Sequence, residues 1–266
     1  MQLLIKGTIL TALCLCSMTA TAAIESGQPT VLITGANRGI GLEFVQQFAE
    51  RGWNVIATAR TPKKAEDLNA LAAENSQIVV VQLDVTDHTR IEWLAEIYKD
   101  QPIDILLSNA GITPKYSSAF KRLNGVDFDM ALQSLEVNAI GPLKLAQAFM
   151  DNVAASEQKK IIIITSAGGS FAEGPEMPMM YSYRASKAAL NMYMYTLSFE
   201  TPKKGIILTL LSPGSVRTFD LPGGIKAPDM IETDESVSKM LKVIDALAPE
   251  HNGKFLSYES GAELGW

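Results

Sequence analysis

Short apolar runs alternate with longer amphipathic runs from residue 29 onward, and this alternation constrains the fold more than any other feature. The run Ile161–Ile164 is apolar at every position, as expected for a parallel strand that is buried on both faces. Alternating strands and helices predict right-handed βαβ units and therefore a doubly wound α/β domain. The expected strands are 30–34, 54–58, 78–83, 103–108, 160–165 and 206–211. The expected helices are about 40–51, 63–74, 89–100, 126–155, 183–199 and 235–247.

Residues 29–266 contain no internal repeat, no low-complexity linker and no visible boundary, so we expect a single domain there. The 266 residues of the chain are enough for one large α/β core but few for two. The net charge of −6 argues against a nucleic-acid partner, because phosphate binding requires a basic face. The only cysteines, Cys14 and Cys16, lie before this domain, and the only histidines are His88 and His251. The sequence therefore offers no Cys/His cluster for a metal.

The first 23 residues have the pattern of a secretory signal peptide. Lys6 precedes an apolar run from Thr8 to Cys16, which is followed by small residues at 19–23. The apolar run is short for a membrane span. We therefore expect residues 1–23 to be a signal peptide and the protein to be exported; a cytoplasmic or membrane-tethered protein is the alternative.

A glycine-rich turn, Thr34–Gly41, follows the first strand and precedes the first helix. Such a turn presents backbone N–H groups to a pyrophosphate, and glycine permits the positive φ or close approach that this needs. The glycines occupy 35, 39 and 41, a Gly-x-x-x-Gly-x-Gly spacing. A purely structural turn is the alternative.

The end of the second strand indicates which nicotinamide cofactor is bound. An acidic residue there usually binds the ribose 2′-hydroxyl, whereas arginine suits a 2′-phosphate. This strand ends in Arg60 with no acid, and Arg38 lies in the glycine turn. We therefore predict that NADP(H) is preferred over NAD(H). The alternative is that Arg60 is a solvated surface charge.

Tyr183 and Lys187 lie four residues apart at the start of a predicted helix, so their side chains share one face. A lysine ammonium favours the phenolate, so we expect Lys187 to lower the pKa of Tyr183 from its usual value of about 10. Three other features point to the same site: Ser166 and Ser108–Gly111 close strands at one sheet edge, and Asn138 lies within a long helix pattern, where a buried polar group needs a reason. The carboxyl edge is where doubly wound sheets bind ligands.

Taken in order, these motifs resemble the short-chain dehydrogenase/reductase superfamily, in the branch of the C-factor and Sniffer-like carbonyl reductases. The resemblance implies a Rossmann fold with a seven-stranded, mainly parallel sheet and helices on both faces. The residues that carry it are Thr34–Gly41, Asp84-Val85, Ser108–Gly111, Asn138, Ser166, Tyr183, Lys187 and Ser212–Thr218, with the strings Tyr181–Asn191 and Gly253–Gly261 pointing to the branch. Two departures are Ser108, where asparagine is frequent, and a long spacer between Ser166 and Tyr183.

The resemblance also implies catalytic roles in an NAD(P)-dependent oxidoreductase that reduces a ketone or aldehyde to an alcohol, or the reverse. Tyr183 would protonate the carbonyl oxygen as hydride arrives, and Ser166 would hydrogen-bond that oxygen. Lys187 would bind the nicotinamide ribose, and Asn138 would hold a water that links Lys187 to solvent. The alternatives are a cofactor-binding signalling or sensor protein with little turnover, and a secreted intercellular factor.

The implied cofactor contacts follow the whole sheet edge, with Asp84 at the adenine amino group and Val85 beside it. The expected cofactor-binding residues are Gly35, Asn37, Arg38, Gly39, Ile40, Gly41, Arg60, Asp84, Val85, Asn109, Ala110, Gly111, Tyr183, Lys187, Pro213, Gly214, Val216 and Thr218. The substrate pocket is expected between the loops 169–180 and 219–233. Phe171, Met177, Met179 and Met180 would be pocket walls or packed core. Family members usually form homodimers or homotetramers.

Overall fold

Seven parallel strands form one sheet in the computed structural model, which describes Ile24 and residues 27–114, 119–218 and 230–266. The strand order is β3-β2-β1-β4-β5-β6-β7, so the connections reverse direction between β1 and β4. This confirms the doubly wound sheet and shows that every strand pair in it is parallel. The strands are β1 (Thr30–Ile33), β2 (Asn54–Ala59), β3 (Ile78–Gln82), β4 (Ile105–Ser108), β5 (Lys160–Ile164), β6 (Ile207–Ser212) and β7 (Phe255–Ser257).

Helices cover both faces of the sheet and bury two separate apolar cores. They are α1 (Gly39–Glu50), α2 (Glu66–Glu74), α3 (His88–Ile97), α4 (Phe128–Leu135), α5 (Gly141–Ala154), α6 (Tyr181–Leu197) and α7 (Thr233–Asp245). The core under α1 and α7 contains Phe44 and Leu241, and the core under α3, α5 and α6 contains Phe149 and Leu190. The apolar faces of the helices thus cover the sheet from both sides.

The isoleucines of β5 show why a continuous apolar run is needed in the central strand. Successive strand side chains point to opposite faces. Ile161 and Ile163 accordingly pack in the core under α6, whereas Ile162 and Ile164 pack in the core under α1 and α7. All four are nearly fully buried.

Three elements differ from the sequence expectations. The helix expected over 126–155 is divided into α4 and α5 by a π-helical segment, Glu136–Ile140, and such segments are common at functional sites. Pro62 begins a short 3-10 turn, and the helix expected from residue 63 therefore starts later, as α2. The short strand β7 was not among the expected strands, because three residues carry too little periodic signal.

The predicted signal peptide, residues 1–23, lies outside the described residues, as do residues 219–229 of the expected pocket loop. Within the described part of the chain, no helix has both the length and the apolar character needed to cross a membrane. The same part contains no group of three or more His, Cys, Asp or Glu side chains arranged to hold a metal ion.

Candidate active site

Asn109 locks the glycine turn to the end of β4. Its side-chain Nδ2 donates to the carbonyls of Thr34, at 3.0 Å, and Gly35, at 3.2 Å. In return, the Thr34 hydroxyl accepts from the N–H groups of Asn109 and Ala110. The packing is so close that a Cβ on Gly35 would lie 2.8 Å from the Ala110 Cα. Glycine is therefore required at position 35, where φ is also +67°.

The N-terminus of α1 has the properties of an anion site. Arg38 occupies the cap position without a side-chain hydrogen bond to the helix, and the first turn contains no acidic residue. Gly39 has a φ of +55°, and Asn37 and Ile40 are half-buried beside it. The free N–H groups and the helix dipole both favour a phosphate at this end. The donor set therefore fits a dinucleotide pyrophosphate.

Arg38 and Arg60 are both exposed at the carboxyl edge, next to the glycine turn and at the end of β2 respectively. The turn and β2 are joined by the Ala36 N–H, which donates to the Thr58 carbonyl. Lys63 and Lys64 extend this basic group in an exposed turn, and the sequence prediction had not included them. The sequence signal for them was the lysine pair at 63 and 64, which lies three and four residues after Arg60.

Asp84 and Val85 follow β3 at the same edge. The Asp84 carboxylate accepts from the N–H of Thr86 at 3.0 Å and from its hydroxyl at 2.8 Å, which fixes the carboxylate in a tight turn. Val85 is buried against Gly141 of α5, where a Cβ would lie 2.8 Å from the Val85 carbonyl oxygen. Val85 therefore has a packing role beside its expected contact with adenine.

Ser166 lies two residues beyond the end of β5 and faces Tyr183 of α6. The Ser166 hydroxyl accepts from the Gly168 N–H at 3.0 Å, which orients its oxygen. Burial raises the pKa of Tyr183, and a hydrogen bond with Ser166 lowers it in part. A phenol with a raised pKa stays protonated at neutral pH and can therefore serve as a proton donor.

Lys187 is 5% exposed, and its ammonium donates to the Ile164 carbonyl at 3.0 Å. Burial lowers the pKa of Lys187 to about 8. Its Nζ lies 6.0 Å from the centre of the Tyr183 ring. Contrary to the expectation that Lys187 lowers it, the pKa of Tyr183 is therefore raised in this structure, because the phenol is buried.

Asn138 is fully buried in the π-helical segment and ties the loop after β4 to α6. Its Oδ1 accepts from the Ile112 N–H at 2.7 Å, and its Nδ2 donates to the Ile112 carbonyl and to the Ser186 hydroxyl, each at 2.9 Å. Both amide hydrogens are thus used within the protein. The expected water linked to Lys187 cannot be held by Nδ2 of Asn138 and would need its main chain or Oδ1.

The segment after β6 closes the other end of the site. The Pro213 carbonyl accepts from Ser236, and Gly214 has a φ of +81° over the ring of Tyr258. Val216 pairs with Ile231, which holds the two ends of the intervening loop together. Thr218 lies against Gly39: a Cβ there would be 3.3 Å from its methyl group. Sequence reasoning had not included Ser236 or Tyr258.

The expected pocket walls have different environments. Phe171 is 93% exposed, and Met177 is half exposed, so neither belongs to the packed core. Met179 and Met180 are half-buried beside the start of α6. Gly111 lies next to the Lys187 ammonium, since a Cβ on it would be 3.9 Å from the Lys187 Nζ. Described residues from β1, β4, β5, β6 and α6 thus meet at one edge.

Comparisons with known proteins agree with this geometry. Residues 29–221 match the family model for short chain dehydrogenase. The NADPH-bound carbonyl reductase from chicken fatty liver is 35% identical, with a TM-score of 0.81 over 90% of this chain and 99% of that one. Carbonyl reductase Sniffer of Drosophila melanogaster is 30% identical, with a TM-score of 0.80 over 90% of this chain and 100% of that one.

The C-signal protein of Myxococcus xanthus is 36% identical over 166 residues, which are 62% of this chain and 93% of that protein. The family model and these relatives agree with the ordered motifs and with the parallel sheet. The chain belongs to the short-chain dehydrogenase/reductase family of oxidoreductases, in its Sniffer-like and C-factor-like branch.

Proposed function

We propose that this protein is an NADP(H)-dependent reductase of ketones or aldehydes, with Tyr183 as the proton donor. The observation that carries the proposal is the convergence of Ser166, Tyr183 and Lys187 at the carboxyl edge, beside a glycine turn that fits a pyrophosphate. Solved relatives with the same fold include an NADPH-bound carbonyl reductase, which supports the reaction class.

Each residue has a separate task in the proposed reaction. When bound, a nicotinamide cofactor would supply the hydride that reduces the carbonyl carbon. Ser166 hydrogen-bonds the carbonyl oxygen and holds it beside the phenol. Tyr183 transfers its proton to that oxygen, for which its raised pKa keeps it protonated. The reverse reaction uses Tyr183 as the base.

Lys187 and Asn138 support the proton transfer without donating the proton themselves. With a pKa of about 8, Lys187 carries its proton through most of the neutral range and offsets the negative charge that forms on Tyr183. Its contact with Ile164 keeps the ammonium at the edge where the nicotinamide ribose would bind. Asn138 keeps the Ile112 backbone and α6 at a fixed separation. Both residues therefore hold the proton donor in a defined environment.

The proposed preference for NADP(H) depends on Arg38 and Arg60. Both guanidinium groups are exposed at the adenine end, and β2 ends without an acidic residue. A planar guanidinium suits a 2′-phosphate. The NADP-bound Pseudomonas aeruginosa carbonyl reductase, 30% identical to this chain, is consistent with this preference.

The test is oxidation of NADPH by the purified protein over a panel of aromatic and aliphatic aldehydes and ketones, with NADH run in parallel. Turnover with NADPH at a higher kcat/KM than with NADH supports the proposal. NADPH binding with no turnover on any carbonyl would instead support a cofactor-binding sensor. The binding measurement, by quenching of tryptophan fluorescence, separates that result from an inactive preparation.

A further inference from the structure

We propose that the anchor segment, Gly265–Trp266, and Arg184 are positioning residues that hold the serine loop, residues 167–180, in its substrate-binding conformation. The proposal rests on the proposed function, because it assigns a specificity role to the loop that follows Ser166. From its length alone, the serine loop would be a candidate for a mobile lid. The contacts described below instead hold it as a fixed wall of the pocket.

The anchor segment is itself fixed by aromatic packing. The Trp266 ring lies 5.5 Å from the ring of Phe255, a fully buried residue of β7. It also lies 5.5 Å from the ring of Tyr195, which belongs to α6. The Leu264 N–H donates to the Phe255 carbonyl at 2.8 Å. The segment is therefore joined to the sheet and to the helix that carries Tyr183.

Three hydrogen bonds join the anchor segment to the serine loop. The Ser170 hydroxyl donates to the Gly265 carbonyl at 2.8 Å, and the Ala172 N–H donates to the Trp266 carbonyl at 3.1 Å. The Gly265 N–H donates to the Glu173 carboxylate at 2.9 Å. Ser170 is 3% exposed, so loss of its hydroxyl would leave partners unsatisfied.

Arg184 holds the loop from the opposite side. Its Nε donates to the Gly168 carbonyl and its Nη1 to the Met177 carbonyl, each at 3.2 Å. Gly174 lies so near that a Cβ would be 3.0 Å from Nη2 of Arg184 and 2.6 Å from the Ser170 carbonyl oxygen. The loop backbone is thus folded around the guanidinium that directly follows Tyr183 in the sequence.

The held loop is continuous with the reaction centre. Ser170 donates its N–H to the Ala167 carbonyl, and Gly169 donates its N–H to the Ser166 carbonyl, which closes a single 3-10 turn. Gly169 packs on Lys187, since a Cβ there would lie 2.7 Å from the Lys187 Cβ. A shift at Ser170 therefore moves the wall beside Ser166 without touching the glycine turn.

The experiment compares Ser170→Ala and a chain ending at Leu264 with the wild type. We expect KM for the carbonyl substrate to rise about fivefold to tenfold in Ser170→Ala, since a buried hydrogen bond contributes about 1 kcal/mol. The truncation, which removes all three bonds, should raise KM further. The Kd for NADPH should change less than about twofold. The controls are Ser156→Ala, an equally buried serine that caps a turn at the far end of β5, and Trp93→Ala on α3.

Hydrogen exchange gives a readout that does not depend on activity. The Ala172 and Glu173 N–H groups both donate to the Ser170 hydroxyl, so their amide protons should exchange about tenfold faster in Ser170→Ala, while those of β5 remain protected. In the truncation, which removes the Trp266 carbonyl, the same increase is expected at Ala172. Unchanged exchange at these amides, or an unchanged KM in an active enzyme, overturns the proposal, as does an equal loss of NADPH affinity. If the wild type turns over no carbonyl, the proposed function fails and the specificity role with it. Exchange at these amides then decides whether the anchor segment holds the loop.

Discussion

Lys187→Met removes a buried charge while keeping an unbranched side chain of similar length. Burial lowers the Lys187 pKa from 10.5 to about 8. Each pKa unit corresponds to about 1.36 kcal/mol, so keeping this lysine charged in the folded state costs about 3 kcal/mol at pH 7. Loss of its hydrogen bond to Ile164 offsets about 1–2 kcal/mol of the gain. The variant should therefore be about 1–2 kcal/mol more stable than wild type at pH 7, although we expect it to be catalytically impaired.

The pH dependence of this difference follows from the direction of the shift. Below about pH 8, both folded and unfolded wild type carry the proton, and the full cost is present. Between pH 8 and 10.5, only the unfolded chain keeps the proton, so wild-type stability rises relative to the variant. The calculated cost falls from about 3 kcal/mol at pH 7 to about 1 kcal/mol at pH 10. The stability advantage of the variant should therefore shrink by about 2 kcal/mol over this range.

The assay is urea unfolding followed by circular dichroism at pH 7 and pH 10, with wild type, Lys187→Met and the exposed-site control Lys203→Met. The control gives the stability difference that a lysine-to-methionine change causes at an exposed site at each pH. If Lys187→Met is less stable than wild type at pH 7 and the difference is the same at pH 10, then burial of the charged Lys187 does not destabilise the folded state. That result would refute the reasoning.

Three further predictions concern the cofactor, the π-helical segment and the leader. Arg60→Ala should raise the Kd for NADPH about tenfold or more and leave that for NADH unchanged, since it loses one charge-assisted hydrogen bond; equal changes for both cofactors, or a similar change in the remote Arg51→Ala, would contradict the assignment. Asn138→Ala should lower the free energy of unfolding by about 2–3 kcal/mol, because Ile112 and Ser186 lose their partners. The control is Asn75→Ala, in a turn, and an equally small loss of stability in both variants would count against the prediction. Mass spectrometry of the protein from separated cell fractions should find a mature chain beginning near residue 23 or 24 in an exported fraction, and an uncleaved chain confined to the cytoplasm would refute the predicted signal peptide.

The fold could be predicted from the sequence because the apolar runs that mark strands and helices are local and periodic. The run Ile161–Ile164 required burial on both faces, and both cores receive its side chains. The division of the helix pattern at Asn138 was not predictable in this way, because five residues with i→i+5 hydrogen bonds are too few to show a period of their own between two helices. What reveals it is a backbone hydrogen bond, in which the Gly141 N–H donates to the Glu136 carbonyl five residues earlier.

The sequence predicted which residues form the candidate site better than it predicted their pKa values. Residue spacing correctly placed Tyr183 and Lys187 on one helix, but spacing does not report desolvation, which raises one pKa and lowers the other. The anchoring of the serine loop was also beyond sequence reasoning. Ser170 and Gly265 are 95 residues apart, and only the folded chain brings them together.

The central claim is that Tyr183 donates the proton, and the most direct measurement is NADPH oxidation by Tyr183→Phe beside wild type with an accepted carbonyl substrate. Phenylalanine keeps the ring and removes only the hydroxyl. We predict a fall in kcat of about a hundredfold to ten-thousandfold, the usual contribution of a general acid, with the Kd for NADPH little changed. The matched control Tyr193→Phe, on the exposed face of the same helix, should retain wild-type activity. Equal activity of Tyr183→Phe and wild type would contradict the account.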